Sequence, residues 1–142
     1  MLHTDFPVVE GLYQLTDGWS VSLPGKFNRR IEDGDLVLWH AELTLWIAVW
    51  KNDLGASKET RLADIQQKMS VGAYALETSG DATVLRFSYR LKEQEQGDVA
   101  AFYCFAIGEN GQVEMAIYLD QESDVKEAQA ILQSLTEINL RS

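Results

Sequence analysis

The chain has 142 residues, enough for one domain that buries a core without metal or disulfide support. Its 46% apolar and 24% charged content argues against disorder. The net charge of -10 disfavours nucleic acid and anionic membrane surfaces, both of which attract clustered Lys and Arg, and suits a cationic or amphipathic protein partner better.

In chain order, residues 1–17 read as an N-terminal arm and residues 18–138 as the core of a single domain, 1–142. The opening Met1-Leu2-His3-Thr4-Asp5 has neither a basic nor an apolar signal region, so no signal peptide is expected. Strands are expected at 19–23, 27–32, 35–40 and 43–51. Asp33-Gly34 is a strong hairpin signal that pairs Ile31 with Leu36, Arg30 with Val37 and Asn28 with Trp39. The apolar run Leu43 to Trp50 is broken by Thr44 and is too short to span a membrane as a helix.

Ser57 can cap a helix over 57–71, with Glu59 near its positive end, Leu62, Ile65 and Met69 on one stripe, and Gly72 as a stop. Further strands are expected at 82–91, 99–107 and 112–119. Lys92 to Asp98, with Glu93, Glu95 and Asp98, reads as a polar connector. Asn110-Gly111 is read as a two-residue turn that sets Tyr103 against Tyr118, Phe105 against Ala116 and Cys104 against Ile117. A second helix over 123–138 carries Val125, Ala128, Ile131, Leu132, Leu135 and Ile138 at helical spacing. The order predicts an α+β fold, an α/β/α sandwich on a mostly antiparallel sheet of six to seven strands.

Alternation sorts the strands into two faces. Leu43, Leu45, Ile47, Val49, Phe102, Cys104, Ala106, Met115, Ile117 and Leu119 form an aliphatic one. Arg30, Trp39, Trp46, Trp50, Tyr103, Phe105, Glu114 and Tyr118 form a mixed one. Matching β-strand 82–91 by composition alone places Leu85, Phe87, Tyr89 and Leu91 on the aliphatic face, and Arg86 and Arg90 on the mixed face.

The opening Gly18-Trp19-Ser20-Val21-Ser22-Leu23-Pro24-Gly25-Lys26-Phe27 resembles the start of PsbP-like and DcrB-like domains. Gly111-Gln112-Val113-Glu114-Met115-Ala116-Ile117-Tyr118, followed by Ala130-Ile131-Leu132-Gln133-Ser134-Leu135, is similar to their last strand and final helix. The resemblance covers about residues 18–138. It implies a non-enzymatic binding scaffold of the kind used by photosystem assembly proteins, Ran-binding adaptors and chaperones of type VI secretion effectors. Neither the targeting sequence of the photosynthetic members nor the lipoprotein signal of the DcrB type is expected from the opening residues, and the resemblance assigns no residue a role.

No catalytic grouping is legible. His3 and His40 have no neighbours at metal-ligand spacing, and zinc takes three or four protein ligands. Cys104, the lone cysteine, falls on the aliphatic face, where it behaves as a small hydrophobe. Its isolation excludes an intrachain disulfide and suits a reducing, cytoplasmic setting. Gly108 to Gly111 has no following helix or Lys-Ser/Thr and is not a phosphate loop. Glu32, Asp33 and Asp35 lack calcium-loop spacing.

The mixed face is the candidate site. Trp39, Trp46 and Trp50 would anchor apolar groups, Arg86 and Arg90 would orient carboxylates or carbonyls, and Tyr103, Tyr118 and Glu114 would add polar contacts to a protein partner. A homodimer through this face is compatible with the pattern, and no cofactor is expected. A small-molecule pocket is the alternative. Equally, the first helix, or the arm with Phe6, Val8, Val9, Leu12 and Tyr13, can cover the face.

Overall fold

The computed structural model describes residues 2–93 and 98–138; Glu95 of the expected connector lies outside them. The fold is α+β, an open nine-stranded antiparallel sheet with two helices among the described residues. The strands are β1 (Val8–Thr16), β2 (Trp19–Glu32), β3 (Asp35–Trp39), β4 (Leu43–Lys51), β5 (Tyr74–Gly80), β6 (Leu85–Leu91), β7 (Ala101–Ile107), β8 (Gly111–Leu119) and β9 (Thr136–Glu137). The helices are α1 (Lys58–Lys68) and α2 (Val125–Ser134). The order β1-β2-β3-β4-β8-β7-β6-β5 joins two antiparallel meanders along β4 and β8, and β9 pairs with the start of β2. This order determines where the helices go. α1 must carry the chain from β4 to the far edge at β5, and it does so across the mixed face. α2 must return it from β8 to β2, and it crosses the aliphatic face.

Three strands, β1, β5 and β9, lie outside the expected six to seven, and two of them, β1 and β5, are edges. The N-terminal arm is largely β1, which pairs with β2 and turns Val9, Tyr13 and Leu15 toward the core. β5 is exposed along its whole length and carries no alternation to read. The expected strands 19–23 and 27–32 are one strand. Pro24 and Gly25 fall where the β1–β2 register shifts, so the missing proline N–H costs no ladder bond.

The Asp33-Gly34 hairpin has the expected register, with Asp33 at φ 52° and Gly34 at φ 89°, the positive values that turn requires. The β7–β8 hairpin differs. Ile107 pairs with Gln112, Phe105 with Glu114, Tyr103 with Ala116 and Cys104 with Met115, a slip of two residues from the expected ladder. The turn centres on Glu109-Asn110 because other elements hold it there. Glu137 accepts both turn N–H groups at 2.7 and 2.9 Å, and Arg61 of α1 donates to the Gly108 and Gly111 carbonyls. Gly111 belongs to the strand, where a Cβ would lie 2.5 Å from the Trp50 carbonyl oxygen. A slip of two leaves every side chain on its expected face.

Ser57 caps α1, accepting from the Thr60 N–H at 3.0 Å; the helix ends at Lys68 rather than near residue 71. α2 is shorter than expected at both ends. A 3₁₀ turn occupies Glu122–Asp124, and Leu135 turns extended so that residues 136–137 can pair with β2, which removes Ile138 from the helix.

Ala128, Ile131, Leu132 and Leu135 pack against Trp19, Val21, Phe27, Leu45, Cys104 and Ile117 in the main core. Complete burial of each large aliphatic side chain stabilises by about 1.5–3 kcal/mol. Cys104 is fully buried, and burial pushes its thiol well above the ordinary range.

β6 reverses the expected faces. Arg86 pairs with Ala106 and Arg90 with Phe102, so both arginines point to the α2 side. Arg86 donates to the Leu132 and Leu135 carbonyls at 3.2 and 2.8 Å, satisfying the C-terminal end of α2. Arg90 donates to the Ala100 carbonyl and, through two bonds, to Glu122 just before α2. Composition matching fails here because these arginines serve the ends of a helix rather than a solvated face.

Replacing Arg86 with leucine leaves the Leu135 carbonyl without its donor and the Leu132 carbonyl with the Leu135 N–H alone, and a stability loss of about 1–3 kcal/mol is expected in urea unfolding. Acid should act on the same clamp. Asp81, a partner of Arg86, is held far below the usual carboxylate range by the Thr83 and Val84 N–H groups first, and Arg90 lowers Glu122. Values below those of the unfolded chain give stability that is complete above about pH 4 and is lost as pH falls through the folded values. The melting temperature of Asp81→Asn should depend less on pH below about pH 4 than that of the wild type.

Candidate functional site

The mixed face is covered at its two ends and open between them. At one end α1 rests Leu62, Ile65 and Met69 on Phe87, Tyr89 and Phe105. Phe87 and Tyr89 are β6 residues expected on the other face, whereas Phe105 of β7 lies where it was expected. They pack as stacked rings, with centroids 6.0 Å apart for Phe87–Phe105 and 5.3 Å for Tyr89–Tyr103.

At the other end the N-terminal segment covers Trp39. Asn28, fully buried, accepts from the His3 N–H at 2.7 Å and donates to the His3 and Phe6 carbonyls, tying the segment to the sheet. Phe6 then meets the Trp39 ring edge-on at 5.0 Å. Arg30 lies 4.6 Å from the Trp39 ring centroid and 5.7 Å from that of Trp46, close enough for cation–π attraction to both.

Between the covers, cross-strand pairing lines up Trp46, Ala116, Tyr103 and Tyr89 in one row and Ala48, Glu114, Phe105 and Phe87 in the next. Two alanines between large rings make a slot of about 340 Å³, walled by Trp46 on one side and by Tyr89, Tyr103 and Phe105 on the other. Asp35 and Glu114 contribute to its lining. It adjoins a cleft of about 360 Å³ beside α1, and the two share Tyr89, Phe105 and Glu114.

Glu114 is half-buried, and its hydrogen-bond partner is Gln112, whose side-chain amide donates at 2.9 Å. Beyond the slot, the Tyr103 hydroxyl donates to Glu93 and the Tyr118 hydroxyl approaches the same carboxylate at 3.4 Å. Burial, then the bond to Glu93, raises the Tyr103 pKa, and burial followed by the charges of Glu114 and Glu93 raises that of Tyr89. Both phenols therefore remain protonated at neutral pH.

Of the residues expected on this face, Trp46, Tyr103, Phe105 and Glu114 line the slot, and Tyr118 lies beyond it at Glu93. Trp39 is nearby but covered. Trp50, 57% exposed, stands at the far end of β4 and lines a separate cleft with Trp19, Gly111 and Glu137. Arg86 and Arg90, only 5% and 7% exposed, face α2 and leave the set. His40 lies against Phe27 with tilted rings 4.5 Å apart and approaches Glu42 and Glu127, outside the slot.

Sequence reasoning passed over Glu93, Ala48 and Ala116. Glu93 carried no signal, since its partners are ten or more residues away. The alanines did carry one: small residues alternating between aromatic positions imply a depression. Compared with known proteins, the chain matches no family model and no curated sequence.

Asn28→Ala should release the N-terminal segment. Faster amide hydrogen exchange over residues 3–9, with red-shifted tryptophan emission from an uncovered Trp39, is the expected result.

Proposed function

We propose that the chain is a non-enzymatic protein-binding module that engages its partner through the slot between Trp46 and the Tyr89–Tyr103–Phe105 wall. The observation that carries this reading is the selective cover. The two ends of the mixed face are packed beneath α1 and the N-terminal segment, while the aromatic centre stays open with alanines for its floor. Aromatic walls with a few convergent polar groups suit recognition, where rigid rings supply contact area at small entropic cost.

Binding is favoured over catalysis by the chemistry of the slot. Both histidines and Cys104 lie outside it, and Glu114 has an amide neighbour rather than a base or nucleophile. We read the architecture as an α/β/α sandwich of the PsbP-like type, supported by helices on opposite faces and by the final helix following the last long strand. A chaperone, adaptor or immunity-type role in bacterial secretion rests on that resemblance.

Ala116→Trp fills the slot from its floor without removing a hydrogen-bonding group. In capture from the source cell's lysate, a protein retained by the wild type and lost by folded Ala116→Trp is the expected outcome. Equal retention by both removes the slot from the interface. A metabolite co-purifying with the wild type and absent from the variant would favour the small-molecule alternative instead.

A further inference from the structure

Resting on that binding reading, we propose that the slot seats one lysine or arginine side chain from an extended segment of the partner. The shape fits such a side chain. Ala48 and Ala116 leave room for an apolar stem between the Trp46 ring and the Tyr89, Tyr103 and Phe105 rings. A cation is attracted to the faces of such rings, most strongly where water is thinned out.

The charges fit as well. Among the described residues, no Lys, Arg or His lies within ion-pair distance of the half-buried Glu114 carboxylate. Arg61 and Lys68, which line the adjoining cleft with Glu114, have partners of their own. Arg61 donates to the Ala56, Gly108 and Gly111 carbonyls, and Lys68 pairs with Asp64 at 3.1 Å. Arg30 sits over Trp39 and pairs with Glu32 at 3.3 Å. Asp35 and the Glu93 carboxylate add negative charge around the slot. The chain also builds this arrangement internally, since Arg30 of β2 is a guanidinium held beside the Trp39 and Trp46 rings. At long range, the net charge of -10 steers a basic segment toward the protein.

Random dodecapeptides displayed on phage, selected against the full chain and counter-selected on Ala116→Trp, test the inference. The expected peptides carry a Lys or Arg beside apolar residues. For a selected synthetic peptide, replacing that residue with methionine, or introducing the near-isosteric Glu114→Gln into the protein, should each weaken binding about tenfold in calorimetry. The two changes combined should be less than additive, because they remove the same contact. Neutral or acidic peptides that are lost on Ala116→Trp would overturn the cation while leaving the binding site in place. Selected peptides that all bind Ala116→Trp unchanged would overturn both. Binding of n-butylammonium or methylguanidinium as tight as that of the peptide would overturn the protein segment as occupant. Glu114→Gln leaves the slot's shape intact, so the test stands even if Ala116→Trp fails to fold.

Discussion

The placement of Arg86 and Arg90 under α2 is the constraint on which the rest of the sheet depends. A helix laid across a sheet brings its last carbonyls into a region with little water, where each needs a donor. Arg86 supplies two, and Arg90 ties down the segment that enters the helix. With both arginines on the α2 side, strand alternation leaves β6 no choice for the residues between and beside them. Phe87 and Tyr89 must point the other way. The aromatic wall of the slot is therefore a consequence of how α2 is fastened, and it gives α1 an apolar surface to rest on.

Much of the fold is legible because alternation survives errors of register. The faces of β4, β7 and β8 follow from period-two patterning, and they remain correct although the β7–β8 ladder slips by two residues. That slip was not legible locally. Asn110-Gly111 is the stronger turn signal, but Glu137, Arg61 and the close approach of Gly111 to Trp50 select Glu109-Asn110. Asp33-Gly34 has no such competition, and there local chemistry decides the register. β1 and β5 escaped notice for the reason edge strands do: with one neighbour each and little burial, they need no strong pattern.

The aromatic face that holds the candidate site was legible in outline, and its charges were not. Composition marked one face as too aromatic for solvent, and that face holds the slot. The arginines assigned to it belong to the opposite side, because a buried arginine that satisfies helix carbonyls has the same one-letter signature as an exposed one. Removing them inverts the electrostatics of the face. An expected mixture of cations and aromatics becomes aromatics with carboxylates, in which Arg30 is paired at the edge and Glu114, among the described residues, has no ion partner.

That inversion bears on what the face can bind. With Arg86 and Arg90 present, anionic or carbonyl-rich groups would have been the natural ligands. With Glu114, Asp35 and Glu93 around a ring-walled slot, an incoming anion would meet carboxylates and lose its hydration for no compensating contact. An incoming cation keeps its charge compensated as it desolvates, by the carboxylate at the floor and by the ring faces at the sides. The half-buried position of Glu114 matters to this balance. Full exposure would let salt screen the carboxylate, whereas at this depth a bound side chain can exclude water from the contact.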